Sequence, residues 1–153
     1  MEPQRIELIE SRDITWSMLT KIQKIDNRIE DTDDIIVLRI NLLDDTIDEC
    51  HDRFSKFSLN NVGEKCIGET IYTDSGMTVG KIFSFSVVSS EEVFDSSKNE
   101  ATTILYAFTY LRKRPETEKF VDMIIKKKDW MPHVSCSVLF SECSVCDEDI
   151  TQC

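Results

Sequence analysis

Between Ser11 and Phe57 the chain contains no Gly and no Pro, and apolar residues recur there at steps of three and four. The series is Met18, Ile22, Ile25, Ile29, Thr32, Ile36, Ile40, Leu43, Ile47, Cys50, Phe54 and Phe57. Alternating steps of this kind form the a/d seam of a heptad repeat. The one slip, where Thr32, Ile36 and Ile40 follow each other by fours, is the sort that a coiled coil absorbs by unwinding locally. Most intervening positions are polar or charged, among them Lys21, Lys24, Asp26, Arg28, Arg39, Asp44 and Asp45.

This pattern predicts an α+β protein in which a long N-terminal coiled-coil helix, residues 1–58, precedes a small β-β-α-α-β head at 64–141. An acidic, cysteine-bearing tail follows at 142–153. A helix of that span is roughly 65–70 Å long at about 1.5 Å per residue, too long for its stripe to be covered by its own small domain. The seam of Met18, Ile22, Ile25, Ile29, Ile36, Ile40, Leu43, Ile47 and Phe54 is therefore expected to meet another chain. A parallel homodimer or a hetero-coiled-coil is the first choice, and Ile at both a and d keeps a trimer open. The competing reading takes Asp31 to Asp34 as a turn and cap, which gives a hairpin of two ordinary helices packed on the head.

Asn60, Asn61 and Gly63 mark the end of the helical composition and the start of the head. Cys66 to Thr73 and Thr78 to Val88 read as strands joined through Asp74-Ser75-Gly76, a hairpin linker. Within the second strand, Phe83, Phe85 and Val87 share a face opposite Ser84 and Ser86. Asn99 to Arg114 reads as a helix, because Ala101, Ile104, Leu105, Phe108 and Leu111 fall at helical spacing. A second helix follows Pro115 and ends in Lys126-Lys127-Lys128, where cations suit the dipole. His133 to Ser141 alternates as a last strand, with Val134, Cys136, Val138 and Phe140 inward.

Composition narrows the function. The 153 residues carry 18 basic and 29 acidic side chains, a formal charge of −11, which makes non-specific binding of the whole molecule to nucleic acid or anionic membrane unfavourable. No apolar run is long enough to span a bilayer, and the first residues have no signal-peptide core. An intracellular protein, cytoplasmic or nuclear, is expected, with its six cysteines reduced.

Candidate chemistry is sparse. Cys136, Cys143, Cys146 and Cys153 are spaced C-x6-C-x2-C-x6-C, and the Cys143/Cys146 gap suits two thiolates on one tetrahedral ion, which makes that pair a weak metal candidate. The flanking spacings match no common zinc module, so no metal and no cofactor is assigned. The two histidines, His51 and His133, have no nucleophile at a recognisable spacing, and four glycines leave no phosphate-cradling loop. No catalytic residue is assigned and no enzyme is expected. The acidic pairs Asp33-Asp34 and Asp44-Asp45 read as solubilising charges. One feature stands against the overall charge: Arg112, Lys113, Arg114, Lys119, Lys126, Lys127 and Lys128 form a basic patch. The function these readings imply is non-enzymatic assembly or adaptor work, the coil oligomerising and the head binding a protein partner. The alternative is a monomeric binding module whose basic patch takes nucleic acid or an acidic partner.

Overall fold

The computed structural model describes residues 6–47, 52–72, 76, 78–89, 103–126 and 146. In chain order the elements are β1 (Ile6–Ile9), α1 (Trp16–Ile25), β2 (Ile35–Asp44), α2 (Lys56–Cys66), β3 (Thr70–Tyr72), β4 (Thr78–Ser89), β5 (Thr103–Arg112) and α3 (Pro115–Lys126). The five strands form one antiparallel sheet in the order β1-β2-β5-β4-β3. Register shifts at Asn41/Leu43 and Ile82/Ser84 interrupt the ladders, and irregularities of this kind bend a sheet and increase its twist.

The long coiled-coil helix does not exist, because its segment divides into a ten-residue helix, a turn and a ten-residue strand. Thr15 caps α1 by accepting the Met18 N–H at 3.2 Å, and the helix stops at Asp26, whose backbone turns to an extended conformation. Asp31 and Asp34 then form a reciprocal capping box around one short turn. The acidic run is thus the stop and cap of the competing reading, but a strand rather than a second helix follows it. The reason lies in residues that the heptad leaves off its seam. Ile35 and Val37 alternate with Ile36, Leu38 and Ile40, and Leu42 follows, giving a largely β-branched run that is apolar on both faces, and both faces of β2 are buried.

Predicted seam residues are accordingly spent inside a single chain. Met18, Ile22 and Ile25 lie on α1, Ile29 in the connection after it, Ile36, Ile40 and Leu43 on β2, Ile47 just beyond that strand, and Phe54 just before α2. Ile22 and Ile40 have no exposed surface, and Ile29 and Ile36 are buried. The boundary drawn between helix and head falls inside α2, and β2 pairs with β5 along its whole length, so residues from both sides of that boundary share one sheet.

Asn99 to Arg114 is also corrected, since residues 103–112 are the central strand β5 rather than a helix. Leu105, Ala107, Thr109 and Leu111 serve one side of the sheet, while Phe108 and Tyr110 serve the other. A strand buried on both faces has no polar side to betray its period. The predicted strand His133 to Ser141 and most of the tail lie outside the described residues.

Three clusters make up the core. On one side of the sheet α3 places Phe120, Val121 and Ile124 against Ile36, Leu38, Ile40 and Leu111. Beside it α2 covers β4 and β5, with Leu59 among Leu42, Ile82, Leu105 and Ala107. On the opposite side α1 lays Leu19 and Ile22 over Val37, Phe83 and Tyr110. Each side of the sheet thus has its own helical cover, and the C-terminal end of α1 and the N-terminal end of α3 come together near the end of β5.

Candidate functional site: a basic cleft

Where those ends meet, the protein has an open cleft in two adjoining parts. The first, about 420 Å³, is lined by Lys24, Ile25, Asp26, Asn27, Arg28, Lys81 and Tyr110. The second, about 320 Å³, shares Asp26, Arg28, Lys81 and Tyr110 and continues past Gly80 to Arg112, Arg114 and Thr117. Among the described residues, five cations, Lys24, Arg28, Lys81, Arg112 and Arg114, therefore border one concavity that contains one carboxylate, Asp26. In a protein of charge −11 this is a strong local reversal of sign.

Local sequence explains how each cation arrives there. Lys24 and Arg28 flank the end of α1, where positive side chains favour the helix dipole. Lys81 follows Gly80 on β4, and Gly80 is needed because the strand there lies close against β5: a Cβ would sit 2.8 Å from the Tyr110 carbonyl oxygen. Arg112 closes β5, and Arg114 precedes α3. The connection is braced by Thr117, whose Oγ1 accepts the Arg114 N–H at 2.9 Å and lies 2.8 Å from the Arg112 carbonyl oxygen.

Asp26 organises the cleft. It accepts the Arg28 backbone N–H at 3.1 Å and the Arg28 Nε–H at 3.0 Å, and it is met by Arg112 Nη2 at 3.3 Å. Its side chain is 13% exposed. The Arg28 hydrogen bond, reinforced by the Arg28 backbone N–H and the charge of Arg112, holds its carboxyl down from 3.8 to about 2 against the opposing effect of desolvation. The same hydrogen bond pushes the Arg28 guanidinium up. Burial, and then the nearby Asp26 charge, push the Tyr110 phenol up, so it stays protonated as a donor. Lys24, Lys81 and Arg114 form no ion pair among the described residues.

The structure divides the basic patch expected from the sequence. Arg112 and Arg114 enter the cleft. Lys113 points elsewhere and approaches Glu118 at 3.9 Å. Lys119 and Lys126 are exposed on α3, on the side away from Phe120, Val121 and Ile124, while Lys127 and Lys128 lie outside the described residues. Lys24, Arg28 and Lys81 were not among the expected site residues, since on the supposed coil the first two looked like solvated heptad positions. The Asp26-Asn27 pair, a helix stop with a cation on either side, was the available signal.

Other candidates fare differently. Cys146 is exposed and Cys143 lies outside the described residues. Among the described residues no cluster of three or more His, Cys, Asp or Glu stands ready for a metal. Both histidines lie outside the described residues. Asp45 is no solubilising charge: it is 2% exposed, accepts the Thr103 N–H at 3.0 Å, and pairs with Arg53 at 2.9 Å. Asp44 accepts the Thr46 N–H at 2.9 Å, and Asp34 completes the capping box. Among the described residues no helix is long and apolar enough to cross a membrane. No family model, curated protein or solved structure matches the chain.

Proposed function

We propose that the protein is a non-enzymatic, intracellular binding module of the adaptor kind, and that the cleft between α1, β4 and α3 receives an anionic segment of a protein partner. The observation that carries this reading is the convergence of five cations from separate parts of the chain on one concavity of an otherwise acidic protein. Cations used only for solubility have no reason to collect; they repel one another, and their clustering stabilises the molecule only when something negative offsets it. Asp26 offsets part of the excess and leaves Lys24, Lys81 and Arg114 to a ligand.

A short acidic segment suits this arrangement better than a nucleic acid does. At physiological salt a charge is felt over about 8 Å, so a compact anion in the cleft responds chiefly to the local cations. A long polyanion extends past the cleft and meets the negative remainder of the surface. Assembly through an N-terminal coil has no place in the reading, because its seam is interior.

The test is a binding titration of a fluorescent Glu/Asp-rich peptide against the protein and its Lys24→Glu/Lys81→Glu variant. The parent protein should bind saturably, and the variant should lose about tenfold or more in affinity, as expected for reversing charges that a ligand contacts directly. Equal binding by both proteins, or no binding of any anionic peptide to either, rejects the reading.

A further inference from the structure

The cleft is specific about the kind of anion it suits, and the inference that follows rests on the binding reading given above. We propose that its ligand is the phosphate of a phosphorylated serine side chain on the partner protein. Arg28 and Arg112 are already engaged by Asp26 through hydrogen bonds of 3.0 to 3.4 Å. What remains are three cations without an ion pair among the described residues, Lys24 on α1, Lys81 on β4 and Arg114 before α3, each approaching from a different element.

A carboxylate presents two coplanar oxygens and one charge, which one guanidinium fork satisfies. Lys24 and Lys81 border the first part of the cleft and Lys81 and Arg114 the second, so an anion in either part meets more than one unpaired cation, which suits the three free oxygens and about two negative charges of a phosphate ester. Asp26 sharpens the choice. Its fixed negative charge lies beside Arg28 and Arg112 and offsets them, so an entering anion is drawn chiefly to Lys24, Lys81 and Arg114. The Tyr110 hydroxyl, kept protonated by burial and by the Asp26 charge, lines the same space and is available as a neutral donor.

The experiment uses the full chain and blocked tripeptides, Ala-phosphoserine-Ala against Ala-Glu-Ala and Ala-Ser-Ala, followed by the amide NMR shifts of Lys24, Arg28, Lys81 and Arg114. The phosphorylated peptide should shift these resonances saturably and bind about tenfold more tightly than the glutamate peptide, while the serine peptide should not bind. Lowering the pH from about 7.5 to about 5 should weaken the phosphopeptide severalfold, because a phosphoester takes up its second proton near pH 6. Among the described residues no histidine or cysteine lines the cleft to imitate that dependence. Lys81→Glu should abolish the shifts while leaving the remaining spectrum folded. Glutamate and phosphoserine peptides of equal affinity, or inorganic phosphate that binds while the phosphopeptide is excluded, overturn the phosphoserine assignment and leave the anion cleft intact. Failure of all these probes, together with failure of the acidic peptide, removes the cleft as a binding site.

Discussion

Asp26 joins the end of a helix to the end of a strand, and its carboxyl, held at about 2 against an ordinary 3.8, couples that joint to pH. A carboxylate whose folded value lies below its unfolded value favours folding at pH above the unfolded value. That contribution is lost as pH falls through the folded one. The urea midpoint of the protein should therefore drop between about pH 4 and about pH 2, and Asp26→Asn should flatten this part of the profile while lowering the midpoint at neutral pH. An unchanged profile in the variant would remove Asp26 from that role. A second residue carries a steric constraint. Gly63 reads as a helix breaker in the sequence, yet it lies buried within α2, where an added Cβ would meet the Phe85 ring at 2.3 to 2.7 Å. Gly63→Ala should cost about 1–3 kcal/mol through overpacking despite Ala's better helix propensity, measured as a lowered thermal midpoint. A rise in the midpoint would mean that α2 does not pack so closely on β4.

At the scale of elements, β2 decides the architecture. A coiled coil exposes Val37 between seam positions, whereas the sheet buries it completely under α1. Val37→Lys is therefore expected to unfold the chain, because an unpaired buried charge costs about 3–5 kcal/mol. Retention of native circular dichroism in that variant would contradict the sheet. The heptad was readable because Ile22, Ile25, Ile29, Ile36 and Ile40 do fall three and four apart. That spacing arose from a short amphipathic helix, a buried turn residue and two same-face residues of a strand, four apart, placed end to end. The discriminating signal was the excess of apolar residues off the seam, Ile35, Val37, Leu38 and Leu42, together with the helix stop at Asp26-Asn27. On β5 the same ambiguity acts without a break: Leu105 and Leu111 on one side with Phe108 and Tyr110 on the other satisfy a helical period as well as an alternating one. On β4 the alternation of Phe85 and Val87 with Ser84 and Ser86 was legible, but the irregularity between Ile82 and Ser84 turns Phe83 to the α1 side, away from the face it was expected to share with Phe85 and Val87. Where charge and apolar residues segregate, as on α3, the period of about 3.6 was legible too.

The cleft belongs to the whole molecule, which is why so little of it was visible along the chain. Arg112 and Arg114 are neighbours in sequence and were found together, but Lys24, Arg28 and Lys81 join them only after the sheet places β4 beside β5 and lays α1 across both. A linear basic patch and a folded basic cleft make opposite predictions about which lysines matter. If charge density along the sequence governed binding, Lys119→Glu/Lys126→Glu would weaken an acidic peptide as strongly as Lys24→Glu/Lys81→Glu, since each pair changes the net charge equally. If the cleft governs it, the α3 pair, which lines neither part of the cleft, should change affinity by no more than about twofold at physiological salt, because exposed charges that do not touch the ligand are strongly screened there. Lowering the salt lengthens the screening distance, so the α3 pair should begin to matter near about 0.01 M ionic strength, where the distance is about 30 Å, while the cleft pair dominates throughout. Affinities of both variants measured across that range separate a site built by the fold from one built by composition. Equal losses at physiological salt would place the binding on the charge of the surface as a whole.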